Sequence, residues 1–161
     1  MPCNATIKTA GFASKSSNSD TDFLLKGNKG RKLIMLNISN GFFEISDELQ
    51  IFSGFSFEQF KNTRFYKNQD GLRIFYLDEQ QIIDNRKYIV SLFFRNGKIY
   101  IVSLICCDKE FSEKDEHKRK ILHDNILNEL GINQQMEYSW GKILSDYDAR
   151  SNVSSIDIIY F

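Results

Sequence analysis

Residues 87–106 read KYIVSLFFRNGKIYIVSLIC, and this stretch decides the fold. Two apolar runs flank the dipeptide Asn96-Gly97. Asn-Gly tolerates positive φ at both central positions of a type I′ turn, the tightest link between antiparallel strands. The spacing therefore predicts a hairpin of two long strands, 87–94 and 98–106. Pairing Arg95 with Lys98 in one unbroken register sets Tyr88, Val90, Leu92 and Phe94 opposite Ile105, Ser103, Ile101 and Ile99. The other face then carries Ile89, Ser91 and Phe93 beside Leu104, Val102 and Tyr100. Both faces are mostly apolar, whereas a half-solvated hairpin alternates with polar residues. These strands are expected to be central and covered on both sides by helices, the N-terminal segment or a second subunit.

Downstream, the hydrophobic period changes to that of a helix. Ser112 stands at an N-cap position with Asp115 three residues on, and Gly131 stands where a helix stops. A long helix is predicted over 113–130, with Leu122, Ile126, Leu127 and Leu130 as its buried stripe. Glu113, Asp115 and Glu116 suit the positive end of the helix dipole. Strands follow at 140–147 and 155–161, around a loop at 148–152. Upstream, Asn68-Gln69-Asp70-Gly71 is a turn leading into a strand at 72–77. Ser56 and Gln59 have capping-box spacing, and Phe57 and Phe60 would share one face of a short helix over 56–62. Short strands at 33–37 and 42–45 flank Ser39-Asn40-Gly41. Hairpins dominate this order, which predicts an α+β fold: a mainly antiparallel sheet with one long and one short helix packed on it. Residues 1–22 are expected to form a flexible leader and 23–161 a single domain.

Apolar residues make up 42% of the 161, enough for a core of one domain. Basic and acidic side chains balance at 21 each, so the chain lacks the basic excess of a general nucleic-acid binder. The charge is unevenly spread. Residues 61–100 hold eight basic and four acidic side chains, and residues 101–161 hold seven basic and eleven acidic. Such imbalance can steer a charged partner, or can be the ordinary scatter of a solvated surface. Cys3, Cys106 and Cys107 are an odd set with one adjacent pair, which suits a reducing compartment better than a disulfide framework. No Cys/His spacing for zinc occurs. The start MPCNATIKTAGFASKSSNSD lacks the apolar core of a signal peptide, and no run approaches the roughly 20 apolar residues of a membrane span. A cytoplasmic protein without membrane contact is expected.

Chemistry has few candidates. Both histidines, His117 and His123, fall on the predicted long helix, and His123 lies within its apolar stripe. Glu116, Arg119 and His123 make one polar line, able to do acid–base work or to act as a salt-bridged helix start with a core-edge histidine. His123-Asp124 resembles half of a phosphohydrolase metal site, but such sites need several more His and Asp ligands. No phosphate-cradling glycine loop, nucleophile elbow or HExxH is present. Cys107 sits in an apolar strand, where thiols are inert. The sequence therefore predicts no catalytic residue, no metal site and no cofactor. The stretch 138–151 concentrates Trp140, Tyr138, Tyr147 and Arg150, residue types that anchor interfaces. Trp140 can equally plug the core, Gly141 can admit a close backbone, and Asp148 can pair with Arg150 across the turn.

The second half, roughly residues 86–161, resembles immunity proteins of bacterial contact-dependent growth inhibition and polymorphic toxin systems. The resemblance rests on Phe93-Phe94-Arg95-Asn96-Gly97-Lys98, on Ser112-Glu113-Lys114-Asp115-Glu116, and on His123 ten residues after Glu113. Tyr138-x-Trp140-Gly141, Ser145-x-Tyr147-Asp148-x-Arg150-Ser151 and Ile156-x-Ile158-x-Tyr160 complete it. The resemblance implies an antitoxin that binds the C-terminal domain of a cognate toxin, often a nuclease, and blocks its active site or substrate path. It implies no direct contact with nucleic acid or membrane, and a monomer or homodimer. Acidic side chains can occupy a nuclease's phosphate cleft. Glu44, Asp47, Glu48 and Glu58 form one candidate surface, and Asp146, Asp148 and Arg150 another. Alternatives are a small hydrolytic enzyme using Glu116, Arg119 and His123, and an adaptor that self-associates through the apolar hairpin.

Overall fold

A computed structural model describes residues 36–161. The expected leader at 1–22, Cys3 and most of the strand expected at 33–37 lie outside the described residues. The seven-stranded sheet is built around β6 (Arg86–Arg95) and β7 (Lys98–Cys106), with strand order β4-β6-β7-β10-β9-β8. Here β4 is Ile74–Tyr76, β8 is Glu137–Tyr138, β9 is Gly141–Asp148 and β10 is Val153–Tyr160. β5 (Gln81–Ile83) also pairs with β6, at the end away from β4. A second sheet holds β1 (Leu36–Asn37), β2 (Phe42–Ser46) and β3 (Leu49–Ile51). Every pairing in both sheets is antiparallel. The helices are α1 (Phe57–Lys61) and a run over 113–129 that begins as a 3-10 segment and continues as α2 (Arg119–Glu129). The described residues are thus α+β with mainly antiparallel sheets, one long helical run and one short helix.

The central hairpin turns at Asn96 and Gly97, with φ of 51° and 73°. Its register is not unbroken. Arg95 pairs with Lys98 and Phe94 with Ile99, but Phe93 then pairs with Ile101, which leaves Tyr100 as an extra residue in β7. One extra residue exchanges the faces of everything beyond it. Val102, Leu104 and Cys106, rather than Ile101, Ser103 and Ile105, share a face with Leu92, Val90 and Tyr88. All six are buried. The described helices and the small sheet sit on this face alone. Phe57 and Phe60 of α1 pack their rings against Phe75 and Phe94, with centroids 5.1 to 5.6 Å apart. On the opposite face Ile89, Phe93, Ile101 and Ile105 are only half-buried. Among the described residues the helices and the small sheet cover one face; cover of the other by the N-terminal segment, which the apolar pattern also allowed, lies outside the described residues.

Local chemistry explains the other boundaries. Ser56 and Gln59 make the expected capping box. Ser112 has extended backbone and bounds the long helical run, but its hydroxyl donates to the Asp115 carboxylate at 3.1 Å instead of capping a backbone N–H. Residues 113–118 wind as a 3-10 segment, so the α-helix proper starts at Arg119. Trp140 lies in the core, where its Nε1–H donates to the carbonyl of Ile38 at 2.7 Å. Gly41 is required beneath that indole, since a Cβ there would overlap the ring. A Cβ on Gly141 would meet the carbonyl oxygen of Ile159 on the neighbouring strand, so the close-approach reading of this glycine holds. No helix among the described residues is long and apolar enough to cross a membrane.

Candidate functional site

The best acid–base candidate in the sequence is used to hold the fold together. His123 is fully buried on the inner face of α2. Its Nε2 accepts the N–H of Cys106 at 3.1 Å, which places the ring proton on Nδ1, 3.0 Å from Ser154 Oγ. Both nitrogens are therefore engaged. Burial, reinforced by the positive charge of Arg119, draws the imidazole pKa down from 6.5 to about 4. Arg119, one turn earlier, is buried too and makes a two-point pair with Glu116, Nε to Oε1 at 2.7 Å and Nη2 to Oε2 at 3.1 Å. Its Nη1 donates to the carbonyl of Cys106 at 2.5 Å and to that of Lys109 at 3.3 Å. His123 and Arg119 thus bind the two backbone groups of one residue, Cys106, and clamp the helix to the end of β7. A small apolar cleft lies under the far end of α2, between Leu127, Ile132, Ile143 and Tyr88, and none of Glu116, Arg119 and His123 lines it.

A second polar knot fixes α2 to β9. Asp124 accepts both contacts of Lys120 at 2.9 and 3.0 Å, the amide of Gln134 at 3.0 Å and the hydroxyl of Ser145. Burial pushes this carboxyl up, but the Ser145, Gln134 and Lys120 donors outweigh it and hold the pKa below the ordinary value. Among the described residues no group of three or more His, Cys, Asp or Glu is placed to hold a metal ion. Cys106 faces the core and Cys107 the other side, as adjacent strand residues must.

The acidic candidates fall into two separate groups, and no hydrogen bond or ion pair joins one to the other. Glu44 lies half-buried on β2, and Asp47 and Glu48 are exposed in the β2–β3 turn. Glu48 pairs with Arg64 at 3.3 Å and Glu58 with Lys61 at 3.0 Å, so two of these four carboxylates already have cations of their own chain. In the β9–β10 tip, Asp148 accepts from the Arg150 backbone N–H at 2.9 Å and from the Ser151 hydroxyl at 2.8 Å, and these donors hold its pKa below the ordinary value. Asp148 shapes the turn through that backbone bond, and no ion pair joins it to the Arg150 side chain. Asp146 and Arg150 are exposed. Asn152 ties the tip to the start of the long helical run through the Glu113 carbonyl at 2.9 Å.

One group stands out that the sequence reading did not single out. Asp157 pairs with Ser103 across β10 and β7, on the face away from the helices. It accepts the hydroxyls of Ser103 at 2.7 Å and Ser155 at 2.9 Å. Burial pushes its carboxyl above the ordinary pKa, the two hydroxyls pull it down, and the nearby charge of Asp146 adds to the rise. Asp157 takes part in none of the ion pairs among the described residues. The available signal was Asp157 inside the strand pattern Ser155-Ile156-Asp157-Ile158-Ile159, since aspartate is depleted in strands.

These features define a mainly antiparallel α+β protein in which the conspicuous helix polar groups are structural and the exposed acidic and apolar groups lie elsewhere. No family model, curated protein or solved structure matches the chain.

Proposed function

We propose that this protein is an immunity protein, an antitoxin that binds and neutralises the toxic C-terminal domain of a cognate bacterial toxin in the cytoplasm. The toxin class that its acidic surface groups suit best is a nuclease, whose phosphate-binding cleft is basic. The observation that carries the reading is the complete burial of His123 with both ring nitrogens engaged. A general base must reach a substrate proton, and this ring reaches only Cys106 and Ser154. The Glu116, Arg119 and His123 line thereby loses its force as a hydrolytic site. What remains exposed suits docking: carboxylates at Asp47 and Asp146 that join no ion pair among the described residues, and large apolar side chains at Leu72, Tyr76 and Ile82. The resemblance of residues 86–161 to immunity proteins supplies the class of partner.

Co-expression tests the proposal. The reading frame immediately upstream should encode a large protein with a toxic C-terminal domain. Cells expressing that domain should survive when the full chain is supplied and die when it is withheld. Equal killing in both cases, or an unrelated metabolic operon upstream, would count against the proposal.

A further inference from the structure

The seven-stranded sheet has one face buried under the helices and the small sheet and another that no described element covers. On the uncovered face the strand registers line up a row of Tyr76, Ser91, Ser103, Asp157 and Leu144 across five strands. Ile74, Phe93, Ile101, Ile159 and Lys142 form the next row on one side, and Ile89 and Ile105 flank the other. Apart from Ile74, these apolar side chains are half-buried. Toward the β4 and β5 edge the surface opens further: Tyr76 is 60% and Ile82 66% exposed, with Leu72 and Ile74 beside them in sequence, also exposed. Four of the nine exposed large hydrophobic residues among the described residues thus fall between positions 72 and 82. Contiguous exposed apolar surface of this kind marks interaction sites.

At the centre of this apolar field sits Asp157, held by two neutral hydroxyls and by no cation among the described residues. Shielding a carboxylate from water without a counter-ion is unfavourable for the isolated chain, and a cation arriving from outside would remove the penalty. Asp146, whose negative charge acts on Asp157, reinforces the call for a positive group. Charge complementarity therefore selects one occupant. We infer that the sheet face left open among the described residues, centred on Asp157, is the docking surface for the partner, and that the partner meets it with a lysine or arginine side chain framed by apolar residues. A second copy of this chain fits less well, because stacking two such faces gathers Asp157 and Asp146 of both copies, while Lys142, opposite Ile159 on the same face, is already paired with Glu137 at 3.3 Å. The inference rests on the toxin-binding reading above and names its surface: the pleated face rather than the β2–β3 turn. In such an interface the apolar ring excludes water and strengthens the central charge pair, which acts as the hot spot.

The test compares four forms of the full chain for affinity to the purified toxic domain encoded upstream: wild type, Asp157→Asn, Tyr76→Glu with Ile82→Glu, and Ile121→Glu. Asn at 157 can still accept both serine hydroxyls, so the sheet is kept while the charge is lost. Tyr76 and Ile82 are exposed enough that charge there does not disturb the core, and thermal unfolding checks folding in every case. Ile121 lies on the outer side of α2, is 60% exposed, and controls for placing charge on an apolar surface residue. Asp157→Asn is expected to weaken binding by at least about tenfold. The edge pair is expected to do the same, and Ile121→Glu to stay within about twofold. Wild-type binding that both face variants retain would overturn the docking surface and leave the immunity reading standing. No binding by wild type would overturn both. A wild-type dimer that Tyr76→Glu with Ile82→Glu converts to monomer would assign the face to self-association and overturn the inference.

Discussion

Lowering the pH from 7 to 5, above the range where the carboxylates titrate, should weaken this protein mainly through one side chain. His123 is buried with its pKa drawn from 6.5 to about 4, so between those values the unfolded chain binds a proton that the folded chain refuses. For a depressed histidine the stabilising contribution is full above the unfolded value and is lost as the pH falls toward the folded one. At 1.36 kcal/mol per pKa unit, the loss reaches about 2 kcal/mol by pH 5 and about 3 kcal/mol by pH 4. Asp157 acts with the opposite sign: its raised pKa makes the folded state take up a proton first, so its contribution grows as the pH falls. The assay is urea unfolding followed by the fluorescence of Trp140, the single tryptophan. Stability of the wild type at pH 7 and pH 5 is compared with that of His123→Gln, which removes the titrating ring while keeping a group able to accept from Cys106. The variant should be less stable at pH 7 and should lose less than about 0.5 kcal/mol over the same interval. Parallel pH curves for the two proteins would refute the assignment of the acid sensitivity to this ring.

Other perturbations follow from the same geometry. Arg119→Ala leaves the Glu116 carboxylate and the Cys106 carbonyl without their donor in a buried site, and should cost about 3–5 kcal/mol in urea unfolding. Gly141→Ala drives a methyl group against the Ile159 carbonyl between paired strands. It should lower the thermal midpoint by about 10 °C or more, whereas Gly54→Ala, with open space around its Cβ and only a positive φ to strain it, should lower it by less. Trp140→Phe removes the bond to Ile38 but keeps the aromatic packing, and is expected to cost about 1–2 kcal/mol.

The sequence carried the main architecture because strong local signals agreed with tertiary packing. Asn96-Gly97 marks the hairpin, Ser56 and Gln59 the short helix, and Gly131, with φ of 70°, the end of the long helical run. The burial of His123 follows from its place in the helical stripe. What stayed hidden depends on contacts remote in sequence. The extra residue at Tyr100 exchanges the faces of β7, and no local pattern distinguishes KIYIVSLIC in one register from the other, since both faces are apolar. β3, β5 and β8 are two or three residues long and are held by their partners rather than by propensity. β5 did leave a trace: Asp84-Asn85, with φ of 50° and 60°, is the turn that returns the chain into β6. The acidic candidates were legible as exposed charges, but the pairing of Glu48 with Arg64 depends on the fold. Asp157 was masked because an acidic residue in an alternating strand looks like an ordinary solvent-facing position until its face proves half-buried.

Calorimetric titration of the full chain into the purified toxic domain encoded by its upstream neighbour bears most directly on the claim that this protein works by docking. The account predicts a saturable one-to-one complex with nanomolar affinity and loss of toxin activity at equal concentrations. A titration without heat, with the toxin still fully active at stoichiometric excess, would contradict it.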